Sequence, residues 1–254
     1  MPIYDKSTNQ LLTEYINKNC KPGGTITKEE IVDWFSQNYP KIKSNTVGCH
    51  IIKFTTNHRT RIHYGATPKC DMLFQLPDRR LRRYNLESDP KPIYKKDEII
   101  DEDSAEKLEI EDSSQFAYES HLRDYLVNNL HQIEPGMQLF RDEEDNTITG
   151  VEFDAGGKRI DLLAVDKNDN LVVIELKVSR GYERTVGQLL RYRAWVRENL
   201  ADGRKVRGVI IAKTISPDLK LAASEIQDID VFEYELKLDL KKLTIVSLQP
   251  SNSS

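Results

Sequence analysis

An apolar run that ends abruptly in charge constrains this chain most. Val172-Val173-Ile174 continues directly into Glu175-Leu176-Lys177. Side chains alternate across a strand, so Glu175 and Lys177 fall on one face. Upstream, Asp161 stands just before Leu162-Leu163-Ala164-Val165, and Lys167-Asn168-Asp169-Asn170 reads as the turn between two strands. A hairpin loop of three or five residues sets Asp161 opposite Glu175. Three ionisable groups then meet at the mouth of a mostly apolar sheet, where charge is costly unless it pairs or binds a metal. Two adjacent carboxylates suit Mg²⁺, a hard cation with oxygen ligands, with Mn²⁺ as a substitute. A lysine beside them suits the orientation or activation of a water. A structural ion pair at a strand end is the plainer alternative.

The elements around this hairpin alternate. A helix is expected over Gln115–Ile133, with Phe116, Leu122, Leu126, Leu130 and Ile133 as its apolar side. On a helical wheel Glu119 falls within that side, which marks it as a paired core oddity or part of a site. Strands are expected near Thr147–Phe153, Arg159–Asp166 and Leu171–Lys177, then a helix over Arg184–Leu200 and a strand over Arg207–Lys213. Ser216-Pro217 opens a short helix to about Ile226, with strands near Val231–Leu238 and Leu243–Leu248 at the end. That order is an α/β core with a mixed sheet flanked by helices. Within the long second helix, Gln188, Tyr192 and Trp195 share a face with Arg184. Core packing accounts for Tyr192 and Trp195 but poorly for Gln188.

The first third is different in kind. Leu11, Leu12, Tyr15 and Ile16 follow a helical period, and Thr27-Lys28-Glu29-Glu30 has the form of a capping box ahead of Ile31, Trp34 and Phe35. A third helix starts near Ser44, with Val47, Ile51 and Phe54 on its apolar side. Thr46, His50, Lys53 and Asn57 share its polar side. Next come a strand, Met72–Leu76, a Pro77-Asp78 turn and a return strand, Arg79–Tyr84, with four arginines. Three helices and a basic hairpin are the order of a winged helix-turn-helix, whose third helix enters the major groove while the hairpin meets the backbone. On that reading Thr46, His50, Lys53 and Asn57, with Arg79, Arg80, Arg82 and Arg83, contact DNA. A small interaction domain with a solvated basic edge is the alternative.

Charge marks the same division. Residues 1–83 hold about 14 basic against 7 acidic side chains, and residues 84–113 about 4 against 11. The expected organisation is a winged-helix-like domain over 1–86, an acidic linker over 87–114 containing Asp89-Pro90-Lys91-Pro92, and a catalytic domain over 115–254. No run nears the roughly 18 apolar residues of a membrane span, and no secretory signal is visible. Cys20, Cys49 and Cys70 make neither a disulfide framework nor a zinc cluster and suit a reducing cytoplasm. Two histidines in Asn57–His63 lack partners at zinc spacing, and no G-x-x-x-x-G-K loop calls for a nucleotide cofactor.

Glu119, Arg159-Ile160-Asp161, Ile174-Glu175-Leu176-Lys177 and Gln188-x-x-x-Tyr192 together resemble the PD-(D/E)xK nuclease superfamily, with the Q-x-x-x-Y element of its RecB-like branch. The text Gly187–Tyr192 and Arg207–Ala212 is most similar to the catalytic domain of NucS-like endonucleases, over roughly residues 115–240. The N-terminal half does not look like the NucS partner domain, and Ile160 stands where the superfamily name has Pro. The resemblance implies a restriction-endonuclease-like fold. It implies Asp161 and Glu175 as metal ligands, with the Leu176 carbonyl as a third, and Lys177 positioning the water nucleophile. Glu119 would hold a metal-bound water or a second ion. Gln188 would steer Lys177 or a phosphate, supported by Tyr192. Lys158 and Arg159, beside Gly156-Gly157, would touch the DNA backbone or simply be solvated.

The preferred expectation is a Mg²⁺-dependent DNA endonuclease of restriction or host-defence type, acting as a homodimer because each chain carries one centre. A repair nuclease that senses DNA structure is the alternative. A DNA-binding regulator on an inactive nuclease scaffold is the third reading.

Overall fold

The computed structural model describes residues 4–95, 110–143, 145–177 and 182–235. The N-terminal part runs α1 (Thr8–Asn19), β1 (Thr25–Ile26), α2 (Lys28–Asn38), α3 (Ser44–Phe54), a 3₁₀ segment Arg59–Tyr64, then β2 (Leu73–Gln75) and β3 (Leu81–Arg83). Local chemistry starts its helices. Ser7 with Gln10 and Thr27 with Glu30 form reciprocal capping boxes at α1 and α2. The strands make a small antiparallel sheet in the order β1-β3-β2. Leu11, Ile16, Ile31, Phe35, Val47, Phe54 and Leu73 fill the core beneath them.

The C-terminal part runs α4 (Ile110–Val127), β4 (Gln138–Leu139), β5 (Val151–Asp154), β6 (Arg159–Val165), β7 (Leu171–Lys177), α5 (Tyr182–Asn199), β8 (Val206–Ala212), α6 (Pro217–Ser224) and β9 (Ile229–Glu233). Its sheet is mixed: β6 and β7 are antiparallel, whereas β7, β8 and β9 are parallel. The α5 crossover between β7 and β8 is what a parallel pair needs. The two faces of the sheet carry separate cores. Leu163, Leu171 and Val173 pack with Leu189, Tyr192 and Val196 of α5. Leu162, Val172, Ile174 and Leu176 pack with Leu122 and Leu126 of α4.

Two expectations change here. The stretch taken as a linker is partly structured: Ile93 N donates to Thr56 O at 3.0 Å, Tyr94 bonds Asp71, and α4 already begins at Ile110. The expected strand at 243–248 lies outside the described residues, as do the side chains of Phe116 and Arg184. The expected strand from Val231 begins at Ile229.

A larger correction concerns α3. Its expected DNA-reading side is buried against the C-terminal part. Thr46 Oγ1 donates to Asp142 at 2.9 Å, and Lys53, 5% exposed, pairs with Asp145 at 2.5 Å and with Thr147. His50, 1% exposed, meets Asn9 at 2.9 Å, and burial lowers its pKa to about 4. Asn57 bonds both backbone groups of Gln75. Cys49, Ile52 and Tyr64 join the core of the α5 face directly. Gly65 has φ 61, and a Cβ there would sit 2.6 Å from Thr147 Cβ, so close approach of the two parts requires glycine. The helix surface that resembles a groove reader is an internal interface with aspartates in the place of phosphates.

Candidate active site

The site forms where β6 starts and β7 ends. The β6–β7 register includes Leu162↔Ile174 and Val165↔Leu171, a hairpin closed by five residues. Continued by one pair, it brings Asp161 opposite Glu175, as the sequence suggests. The Leu176 amide donates to Asp161 Oδ2 at 2.8 Å and fixes that carboxylate across the strands. Lys177 Nζ lies 3.0 Å from Glu175 Oε1. Glu175 is 1% exposed, and among the described residues neither of its carboxylate oxygens has a hydrogen-bond donor, the nearby ammonium aside.

The electrostatics follow from burial. Burial, then the neighbouring Asp161, pushes Glu175 up to about 8, against the pull of Lys177. Burial likewise raises Asp161 to about 6, opposed by the Leu176 amide and Lys177. For Lys177 burial works against the charge, but Glu175, Glu119 and Asp161 outweigh it and raise the pKa. Two neighbouring carboxylates that resist ionisation together, one of them with no donor but the Lys177 ammonium among the described residues, are the donor set a divalent cation would satisfy. Leu176 lies between Glu175 and Lys177 in β7, its side chain buried in the α4-side core.

The helices come from opposite faces of the sheet. On α4, Glu119 is half-buried and close enough for its charge to raise Asp161, Glu175 and Lys177. It does not close a cage: among the described residues no three His, Cys, Asp or Glu side chains gather at metal-binding spacing. On α5, Gln188 Nε2 donates to the Tyr192 hydroxyl at 3.4 Å, and Tyr192 is buried near enough to Glu175 to feel its charge. Trp195 packs in the same core, its ring 6.5 Å from Phe153.

The expected DNA contacts divide. Arg79 and Arg80 are exposed at the hairpin tip, where Arg80 pairs with Asp78 at 2.7 Å. Arg82 is spent on Asp89 at 2.5 Å and stacks on Phe74, while Arg83 donates to the carbonyls of Cys20 and Ile16. Those two brace the fold, which corrects their reading as phosphate contacts. Lys158 and Arg159 are exposed near the site, with Arg159 3.5 Å from Glu152. A cavity of about 650 Å³ opens elsewhere, lined by Asn9, His50, Lys53 and Asp145, and holds none of the Asp161 cluster.

Sequence reasoning missed Arg123, Glu152 and Thr60. Arg123 Nη1 lies 2.8 Å from Glu152 Oε1, and Thr60 Oγ1 donates to Glu152 Oε2 at 3.2 Å. Two signals were present: Arg123 follows Glu119 by four residues, and Glu152 interrupts an apolar strand.

Residues 118–244 match the family described as the endonuclease NucS C-terminal domain. The chain belongs to that family. Outside the NucS-type region, residues 7–80 match a domain of unknown function, DUF7669. Endonuclease NucS of Thermococcus kodakarensis is 33% identical over 103 residues, covering 40% of this chain and 36% of that protein. Endonuclease NucS of Frankia alni is 31% identical over 107 residues, 42% and 44% of the two chains. The chain therefore spans less than half the length of these relatives. Among solved structures, a repair endonuclease from Pyrococcus abyssi covers 46% of each chain at 24% identity and TM-score 0.38. An EndoMS–dsDNA complex covers 47% of this chain and 46% of its own at 27% identity and TM-score 0.37. No described helix is long and apolar enough to cross a membrane.

Proposed function

We propose that this protein is a metal-dependent DNA endonuclease that hydrolyses phosphodiester bonds at structural irregularities in DNA, as a repair nuclease does. The observation that carries the reading is Glu175, buried beside Asp161 and the Lys177 ammonium, with no other donor to its carboxylate among the described residues. Asp161, Glu175 and the Leu176 carbonyl would hold Mg²⁺ or Mn²⁺. When bound, the cation supplies charge stabilisation to a scissile phosphate. Lys177, fixed by Glu175, orients a water toward the phosphorus. Glu119 adds an acceptor from the α4 side that can take a proton or hold that water. Gln188, bonded to Tyr192, would steer Lys177 or a phosphate from the α5 side. Arg79, Arg80, Lys158 and Arg159 are the exposed cations available to the DNA backbone.

The restriction or host-defence reading gives way to its alternative. The matched relatives carry the name endonuclease NucS. The groove-reading helix that a sequence-specific enzyme would use is buried here. One centre per chain means that cutting both strands takes a homodimer or two visits.

The test is a cleavage assay with labelled DNA in Mg²⁺ or Mn²⁺, using matched, mismatched, branched and single-stranded substrates. Cutting of irregular substrates ahead of matched duplex supports the proposal. Cutting of matched duplex at a fixed sequence returns the restriction reading. DNA binding with no cleavage in either metal means an inactive regulator.

A further inference from the structure

Glu152 concentrates contacts that the nuclease motif does not explain. It sits in β5, which pairs with β6; between the pairs Val151↔Leu162 and Phe153↔Ile160 stand Glu152 and Asp161. Asp161 is thus flanked by Glu175 on one strand and Glu152 on the other. The Glu152 backbone is left-handed, φ 45, which is strained for a residue with a side chain and persists only where surroundings over-determine it. Those surroundings are identifiable. Arg123 from α4 binds Oε1 at 2.8 Å, Thr60 binds Oε2 at 3.2 Å, and Arg159 lies 3.5 Å away. The Tyr64 hydroxyl donates to the Glu152 carbonyl at 3.2 Å and accepts from the Asp154 amide at 3.2 Å. Thr60 and Tyr64 both belong to the N-terminal part and are fully buried.

Arg123 completes the link. It is one helical turn beyond Glu119, 8% exposed, and its charge reaches Asp161. A buried guanidinium needs a partner, and Glu152 at 2.8 Å is its short contact, with Asp124 farther off at 4.0 Å. Glu152 is the contact that ties Arg123 from α4 across to β5.

We propose that the Glu152–Arg123 ion pair is a positioning device for the active centre, clamped by the N-terminal part through Thr60 and Tyr64. The inference rests on the nuclease reading above. It makes the N-terminal part a structural component of the catalytic corner in addition to any DNA contact it makes. Glu152 holds Arg123 and the bent β5, and these set the position of Asp161 relative to Glu175.

The test uses the full chain and the DNA substrate that the wild type cuts. Glu152→Gln, Arg123→Met, their double variant, Arg123→Lys and Thr60→Val are compared by kcat and KM, below the unfolding transition of each. Each of the first two is expected to lower kcat at least about tenfold with KM within about twofold. The double variant is expected within about twofold of the worse single, because the two act as one unit. Arg123→Lys recovers part of the loss, and Thr60→Val gives a smaller loss of the same kind. Mn²⁺ affinity, followed by electron paramagnetic resonance without DNA, is expected to fall at least about threefold in Glu152→Gln. Singles within twofold of wild type, losses that multiply in the double, or a loss confined to KM overturn the proposal. If the wild type cuts nothing, the nuclease reading fails. Mn²⁺ affinity then decides alone: a fall in Glu152→Gln supports the positioning role, and an unchanged value overturns it.

Discussion

The Leu176 amide donates a 2.8 Å hydrogen bond to Asp161 Oδ2, so the strand that carries Glu175 and Lys177 also holds the carboxylate opposite them. A main-chain donor aimed at an acid side chain fixes position without adding a mobile charge. Among the described residues Glu175 Oε2 is left without a donor, while Oε1 faces Lys177 Nζ at 3.0 Å.

That arrangement costs stability in the metal-free protein. Asp161 and Glu175 are pushed up together above the ordinary carboxylate range, toward about 6 and about 8, because burial and mutual repulsion disfavour their charge. The fold therefore keeps protons that the unfolded chain has released. These two groups make stability fall as pH rises from about 4 through 8. Glu175→Gln removes the cost, and at pH 8 its metal-free melting temperature is expected to rise by about 2–4 °C per ~1 kcal/mol relieved. Cleavage is expected to be lost. Thermal unfolding at pH 5 and pH 8 checks the sign, since the gain should shrink at the lower pH.

Two other acids have the opposite sign. For Asp166, burial is outweighed by hydrogen bonds from Asn170 and Arg207, which hold it near 2. Arg207 at the same time reaches Glu134 and Asp230, tying β8 to β9 and to the β6–β7 turn. Lys53 and Thr147 lower Asp145 to about 2 across the interface between the two parts. Both contribute stability above about pH 4 that is lost as pH falls toward 2. Asp166→Ala is expected to cost about 2–3 kcal/mol at pH 7. In urea unfolding that difference should narrow steadily below pH 4.

The basic residues of the N-terminal part should separate into two groups. Lys53→Met leaves Asp145 buried without its cation and is expected to cost about 3 kcal/mol with the salt dependence of DNA binding unchanged. Arg79→Ala with Arg80→Ala is expected to leave stability within about 0.5 kcal/mol and to reduce the log–log salt slope by up to about 2. Urea unfolding and DNA titration at several salt concentrations measure both. A flattened slope in Lys53→Met would restore α3 to the DNA interface.

The burial of α3 also shows what the sequence hid. The β6–β7 hairpin was legible because a period of two and a five-residue turn leave little freedom in register. The helices around it were legible from their apolar stripes, α5 to within about two residues, whereas α4 runs Ile110–Val127 instead of Gln115–Ile133. The role of Thr46, His50 and Lys53 was not, because a stripe of donors looks alike whether it faces phosphates or Asp142 and Asp145. Those partners lie about 90 residues away along the chain. The pair Arg123–Glu152 left only traces, an arginine one turn beyond Glu119 and a carboxylate inside an apolar strand, with nothing to join the two. β1 and β4, two residues each, were too short to show any period.

The shared core gives a prediction about truncation. Cys49, Ile52 and Tyr64 fill part of the α5-side core, so a fragment of residues 110–254 would expose it. Such a fragment is expected to lack a cooperative thermal transition. A transition within a few degrees of the full chain would show that the catalytic part stands alone.

The most direct test of the central claim is the anomalous scattering of Mn²⁺ soaked into crystals of the full chain. The account predicts a peak between the Asp161 and Glu175 carboxylates, beside Lys177, that disappears in Asp161→Asn. No peak there, or one that survives the substitution, would contradict it.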